Sequence, residues 1–173
     1  MFKIKTGVSI FNRLRKGKPD DIWRCLSPKE RVFLELGETK LQFSGIMFVS
    51  SKDQLVESKI EQSLLCIAKR HPLLHACVVK QNNRYFWKRM DIIQVLFKVN
   101  PTTKWHDILT ETLNHKYDWS KGPLWQMVYL PKVTSESADT NMAHHSAFVF
   151  SANHAVMDGT GMWINFVSSI DMS

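Results

Sequence analysis

Apolar side chains recur at Val56, Ile60, Leu64 and Ile67, and Leu55, Leu65 and Ala68 widen the stripe. That is the spacing of one helix face. Lys52, Glu57, Lys59, Glu61 and Lys69 are left for the solvent side. Ser51, with Gln54 three positions on, has the form of a capping box that opens this helix. Pro72 ends it, because proline can neither donate a backbone hydrogen bond nor fit the helix interior. A second start signal stands at Leu26-Ser27-Pro28-Lys29-Glu30. Ser27 caps, Pro28 suits the first helical position and Glu30 reaches back, so a short helix is expected through about Leu36, stopping at Gly37. Pro19-Asp20-Asp21 ahead of it reads as a turn.

The pattern changes to short apolar runs elsewhere. Phe43 to Val49 is expected as a strand. Leu74 to Val79 and Tyr85 to Met90 flank Gln81-Asn82-Asn83-Arg84, and two such runs around an Asn pair predict a hairpin. Ile92 to Val99 reads as a further strand. Pro101-Thr102-Thr103 then introduces a helix in which Trp105, Ile108, Leu109 and Leu113 share a face. Strands are expected over Leu124 to Leu130, after Gly122-Pro123, and over Ser146 to Ala152. Between them Lys132 to Ala143 is a polar surface loop. Thr160 to Ile170 has the look of a final helix. No internal repeat is present. The order predicts an α/β chain, more specifically an α+β two-layer sandwich, with helices packed on a mixed sheet.

Composition narrows this only in part. Of 173 residues 44% are hydrophobic and 23% charged, which is globular rather than disordered. No apolar run is long enough to cross a membrane as a helix. Lys and Arg outnumber Asp and Glu by 23 to 16, a net +7 that suits an anionic partner without naming it. Residues 1–19 hold no acid, and Lys3, Lys5, Arg13, Arg15, Lys16 and Lys18 alternate there with apolar positions. Residues 1–25 are accordingly expected as a basic N-terminal extension ahead of a domain over 26–173. Such a segment suits solvent, an anionic membrane surface or mitochondrial targeting; it lacks the apolar core of a secretory signal. Cys25, Cys66 and Cys77 are odd in number and share no ligand spacing, so buried free thiols in a reducing, cytoplasmic compartment are expected.

The stretch richest in chemistry is Ser151-Ala152-Asn153-His154-Ala155-Val156-Met157-Asp158-Gly159-Thr160-Gly161. It follows an apolar strand and precedes a helix. An imidazole there can take a proton from an alcohol, thiol or amine. Asp158, four residues on, can fix the loop by pairing with an arginine, and Gly159 allows a backbone turn that a side chain would hinder. Other constellations are weaker. His144-His145 with His154 lacks metal-site spacing, so no metal is expected. Tyr85-Phe86-Trp87 between basic residues fits a core strand better than a nucleic-acid platform. Gly159-Thr160-Gly161 lacks the lysine of a phosphate loop. His71 before Pro72 reads as a helix-end residue.

His154-Ala-Val-Met-Asp158-Gly159 after a Phe/Val strand resembles the HxxxDG site of the chloramphenicol acetyltransferase-like superfamily. That group includes peptide-synthetase condensation domains, alcohol O-acetyltransferases and acyl-CoA-dependent acyltransferases. Arg70-His71-Pro72-Leu73-Leu74 is similar to the helix end before the next strand in condensation domains. Asp118-Trp119-Ser120-Lys121-Gly122-Pro123-Leu124-Trp125 is similar to the segment introducing a later strand, and Leu26 to Glu30 to the opening of the alcohol acetyltransferase branch. These motifs span about residues 26–165.

The resemblance implies an acyltransferase with no bound cofactor. An acyl group would pass from an acyl-CoA or acyl-pantetheine thioester to a hydroxyl or amine. His154 is then the catalytic general base, Asp158 a structural residue pairing with an arginine, and Gly159 the residue that keeps the loop tight. Asn153 stands where the fuller HHxxxDG motif has its first histidine. His75 stands where condensation domains carry an arginine after paired leucines, which leaves Arg70, Arg24 and Arg31 as partners for Asp158. The two-lobed branches build their channel between similar lobes, so residues 26–173 look like an amino-terminal lobe. A second lobe or another subunit is expected as a partner, with small-molecule donor and acceptor, and no nucleic acid. A lone lobe acting as a non-catalytic interaction domain is the alternative.

Overall fold

Ser27 and Glu30 open the first helix as their spacing predicts. Glu30 N–H donates to Ser27 Oγ at 3.3 Å, and Ser27 N–H donates to Glu30 Oε2 at 2.7 Å. The computed structural model describes residues 22–37, 42–101, 104–133 and 142–156. In chain order these form β1 (Ile22–Cys25), α1 (Pro28–Gly37), β2 (Gln42–Ser51), α2 (Glu57–Arg70), a 3-10 turn (Pro72–His75), β3 (Ala76–Gln81), β4 (Arg84–Arg89), β5 (Leu96–Val99), α3 (Trp105–Leu113), β6 (Trp125–Leu130) and β7 (His144–Asn153).

The expected architecture of helices packed on a mixed sheet is present, divided over two sheets. One is three-stranded in the order β1-β4-β3; the other is four-stranded in the order β2-β7-β6-β5. Every pairing is antiparallel except β5 with β6. Asn82 and Asn83 turn the β3-β4 hairpin with φ of 47° and 62°, the left-handed pair a two-residue turn needs.

Three expected boundaries need correction. The last four residues of the supposed extension over 1–25 are β1, paired with β4 from Ile22 to Cys25, so the folded part reaches back at least to Ile22. Helix α2 begins at Glu57 rather than at Ser51. The ladder between β2 and β7 runs on to Ser51 opposite His144, and Ser51 Oγ donates to Asp53 O at 2.7 Å instead of capping. Strand β5 starts only at Leu96, because Leu96 lies opposite Gln126 in parallel register and β6 begins one residue before that partner. The helix expected over 160–170, most of the loop over 132–143 and the Thr102-Thr103 cap lie outside the described residues.

The four-stranded sheet is covered on both faces. Along β7, Phe148, Phe150 and Ala152 join the main core with Leu34 of α1 and Ile60, Leu64 and Ile67 of α2. The alternate residues Ala147 and Val149 pack instead with Ile108 of α3. Period two along a strand produces this division. A buried polar seam joins α3 to the sheet. The Tyr117 hydroxyl donates to Ser151 O at 2.9 Å, and Ser151 Oγ donates to Thr112 O at 2.9 Å. Burial holds the Tyr117 hydroxyl above the usual phenol range.

Hydrogen bonds tie each sheet to the segment that leads into the other. Trp125 Nε1 donates to Leu74 O at 2.7 Å, and Val78 N–H donates to Trp119 O at 2.7 Å. Trp87, the last residue of the stretch weighed as a stacking platform, is fully buried and donates its indole N–H to Glu30 at 3.2 Å. Of the three thiols only Cys77 is buried; Cys25 and Cys66 are exposed, contrary to the expectation of burial for all three. Among the described residues no helix is long and apolar enough to cross a membrane.

Candidate active site

His154 stands one residue beyond the end of β7, the strand held between β2 and β6. Alternation continued from Phe150 and Ala152 points its side chain to the α1 side of the sheet. There its ring stacks on Phe33, with centroids 4.6 Å apart and planes 19° from parallel. Phe43, on β2, meets it edge-on at 6.2 Å. The residue is partly exposed, while its Nδ1 is buried with no hydrogen-bond partner among the described residues.

The backbone that presents this ring is fixed by Asn153. Its N–H donates to Leu124 O at 2.8 Å, and its carbonyl accepts from Val156 N–H at 3.0 Å. Its side-chain Oδ1 accepts from Ala155 N–H at 2.9 Å. An Asn that bonds the backbone two residues on closes an Asx turn. The residue that departs from the doubled-histidine pattern therefore shapes the bend at His154. Ala155 and Val156 are buried, which anchors the far side of the turn in the core.

Asp158 and Gly159 lie outside the described residues, as do Met157, Met162 and Trp163. Of the three arginines considered for Asp158, Arg24 is bound to Glu30 through two bonds of 2.6 and 2.8 Å. Arg31 pairs with Glu35 at 2.9 Å, and Arg70 ends α2 at an exposed position. His75 is buried, and its Nδ1 lies 2.6 Å from Ala68 O, so that nitrogen carries the proton and donates. Trp23 packs against His75 with the two rings nearly perpendicular and their centroids 5.7 Å apart. His71 closes α2 through its backbone N–H, which donates to Ile67 O at 3.0 Å.

His144 and His145 sit at the opposite end of β7 from His154, separated by the length of a ten-residue strand. Nδ1 of His145 lies 3.0 Å from Ser50 Oγ. No group of three His, Cys, Asp or Glu side chains suited to a metal ion occurs among the described residues.

The aromatic walls, Phe33 and Phe43, were not legible in the sequence as site residues. Nothing in local spacing says that the helix opened by Ser27 and the strand at Phe43 meet at the end of a strand some hundred positions later. The signal available was indirect: Phe33 follows a capped helix start, and Phe43 leads the strand that pairs with β7.

What the arrangement can do chemically is limited and clear. A partly exposed imidazole, walled by two aromatic rings and with one nitrogen out of solvent, is suited to moving one proton at its other nitrogen. Lys29 Nζ lies over the Phe33 ring, 5.7 Å from its centroid, and so places a cation beside that wall.

No protein-family model matches the chain, and no curated protein matches it. Solved structures do. The starter condensation domain of rhizomide synthetase superposes with a TM-score of 0.62 at 12% identity, over 82% of this chain and 36% of that one. The condensation domain from Monacolin K polyketide synthase MokA gives 0.67 at 12% identity, over 87% and 34%. The X-domain from teicoplanin biosynthesis gives 0.66 at 13%, over 90% and 33%, and an X-domain from the same biosynthesis is also solved in complex with OxyB. The chain has the chloramphenicol acetyltransferase-like fold of condensation domains. It spans about a third of the length of these structures.

Proposed function

We propose that the chain from Ile22 onward forms the amino-terminal lobe of a condensation-like acyltransferase in which His154 is the general base. The observation that carries this reading is a partly exposed imidazole at the end of the central strand of a condensation-domain fold. Nε2 is the nitrogen assigned to the acceptor, since Nδ1 is buried. It takes the proton of an acceptor hydroxyl or amine. The freed oxygen or nitrogen forms a bond to the thioester carbonyl carbon, the carbon–sulfur bond breaks, and the proton passes to the departing thiol. A positioned base of this kind contributes about 100- to 10,000-fold.

Asp158 and Gly159 complete the motif in this reading, the first by an ion pair that holds the loop and the second by permitting its bend. The donor is acyl-CoA or an acyl-pantetheine thioester, to which the net charge of +7 is suited. A second lobe or another subunit closes the channel.

Thiol release tests the proposal. The chain, supplied with acyl-CoA and simple alcohols or amines, should liberate free thiol, and His154→Ala should lower the rate by at least about 100-fold. Release that is equal in the two proteins would remove His154 from the mechanism.

A second reading, an interaction domain without turnover, is favoured by the exposed apolar pair Val32 and Leu36, 50% and 43% exposed on α1. It is also favoured by the X-domain solved in complex with a partner. Under that reading neither protein releases thiol.

A further inference from the structure

We infer that Phe33 is a positioning residue for His154, setting the plane of the imidazole; this role rests on the acyl-transfer reading above. A working imidazole is ordinarily oriented by a hydrogen bond at the nitrogen that faces away from the substrate. His154 Nδ1 has no such bond among the described residues, although it is buried. The constraints that the structure does supply are aromatic. Phe33 lies 4.6 Å away and 19° from parallel, and Phe43 stands edge-on at 6.2 Å and 71°.

Together the two rings form a corner. The Asx turn at Asn153 fixes the backbone, and the strand alternation fixes the side of the sheet. What remains free is rotation of the ring about its bond to Cβ, a broad torsion for an aromatic side chain. Turning the imidazole across that bond would drive its edge into the face of Phe33. The stack therefore selects the plane in which the other ring nitrogen, Nε2, points.

Phe33 is itself held. It sits on α1 between Lys29, whose ammonium lies 5.7 Å from its ring centroid, and the buried Leu34. The helix is pinned at its start by the Ser27–Glu30 box and by the indole of Trp87. The opening Leu26-Ser27-Pro28-Lys29-Glu30 thus acts on the site through one aromatic ring placed three residues further along.

The test compares Phe33→Leu, which keeps an apolar side chain without a flat face, with Phe33→Tyr, which keeps the face. Two readouts use the full chain and need no turnover. One is the NMR cross-relaxation between the His154 and Phe43 rings, with His154→Ala identifying the signal. The other is the rate at which diethyl pyrocarbonate acylates His154. Phe33→Leu should weaken the ring contact to below about half and change the acylation rate about threefold, as the ring spreads over its broad torsion; Phe33→Tyr should keep both within about twofold of the parent. Should Phe33→Leu fail to fold, Phe33→Met carries the same readouts. An unchanged ring contact and an unchanged acylation rate in a folded Leu or Met variant overturn the inference. The two proposals fail separately. Thiol release lost in His154→Ala but untouched in Phe33→Leu sinks the positioning role and leaves the base in place, while absent thiol release leaves the ring-contact readout decisive.

Discussion

Glu30 accepts hydrogen bonds from both terminal nitrogens of Arg24, from Ser27 N–H and from the Trp87 indole. Its bond to Arg24, before any other cause, holds its carboxyl down to about 2 against an ordinary 4.5. The sign follows from that depression. A carboxylate that is more acidic in the folded chain contributes its full stability above the ordinary value and loses it as pH falls from 4.5 through about 2. Glu30→Ala should lower stability at neutral pH by about 1–3 kcal/mol, because the Trp87 donor is left in the core without its acceptor. Chemical denaturation read at several pH values should show the gap between parent and variant narrowing across that acid window. A gap that is constant with pH would mean the ionised form is not what matters. At this scale the sequence was informative where a residue's partner lies within a few positions, as with Ser27 and Glu30. It was silent where the partner is remote: nothing near Trp87 or His154 indicates Glu30 or Phe33.

Elements were legible where local rules agreed with the tertiary setting and misread where long-range pairing overrode them. Helix α1 and the β3-β4 hairpin follow from cap and turn residues alone. The capping box at Ser51-Gln54 is equally well formed in sequence, yet ten paired residues of β2 against β7 outweigh one cap and carry the strand through Ser51. Strand β1 was missed because four residues, Ile-Trp-Arg-Cys, show no alternation long enough to recognise. The hairpin offers a direct check. Both turn residues have positive φ, and Asn83 at 62° occupies the position where glycine is least strained. Asn83→Gly should stabilise the fold by roughly 0.5 kcal/mol, visible as a small rise in Tm, whereas Asn83→Val should lower it. Equal melting of the Val variant and the parent would contradict the left-handed geometry.

For the whole molecule, the α/β class and the mixed sheet were readable from the order of elements. The division into two sheets was not, since sequence order does not say which strands become neighbours. Each is bonded to the segment that leads into the other, with Trp125 of β6 bonded to Leu74 ahead of β3. Trp125→Phe keeps most of the ring but leaves the Leu74 carbonyl without its donor, and should cost about 1–3 kcal/mol. If the sheets fold as one unit, urea unfolding followed by fluorescence and by circular dichroism should shift together; separate midpoints would show that this bond couples two bodies that otherwise unfold independently.

Strand β7 is paired along its full length with β2 and packed on both faces, and it ends one residue before His154. Inserting a single residue between Phe150 and Asn153 would reverse the parity of everything downstream, turning the imidazole from the α1 side toward α3. A two-residue insertion would restore the side but carry the ring about 7 Å past the aromatic corner. The reading frame of one buried ladder is thus the gauge by which this chain measures out where the imidazole of His154 stands.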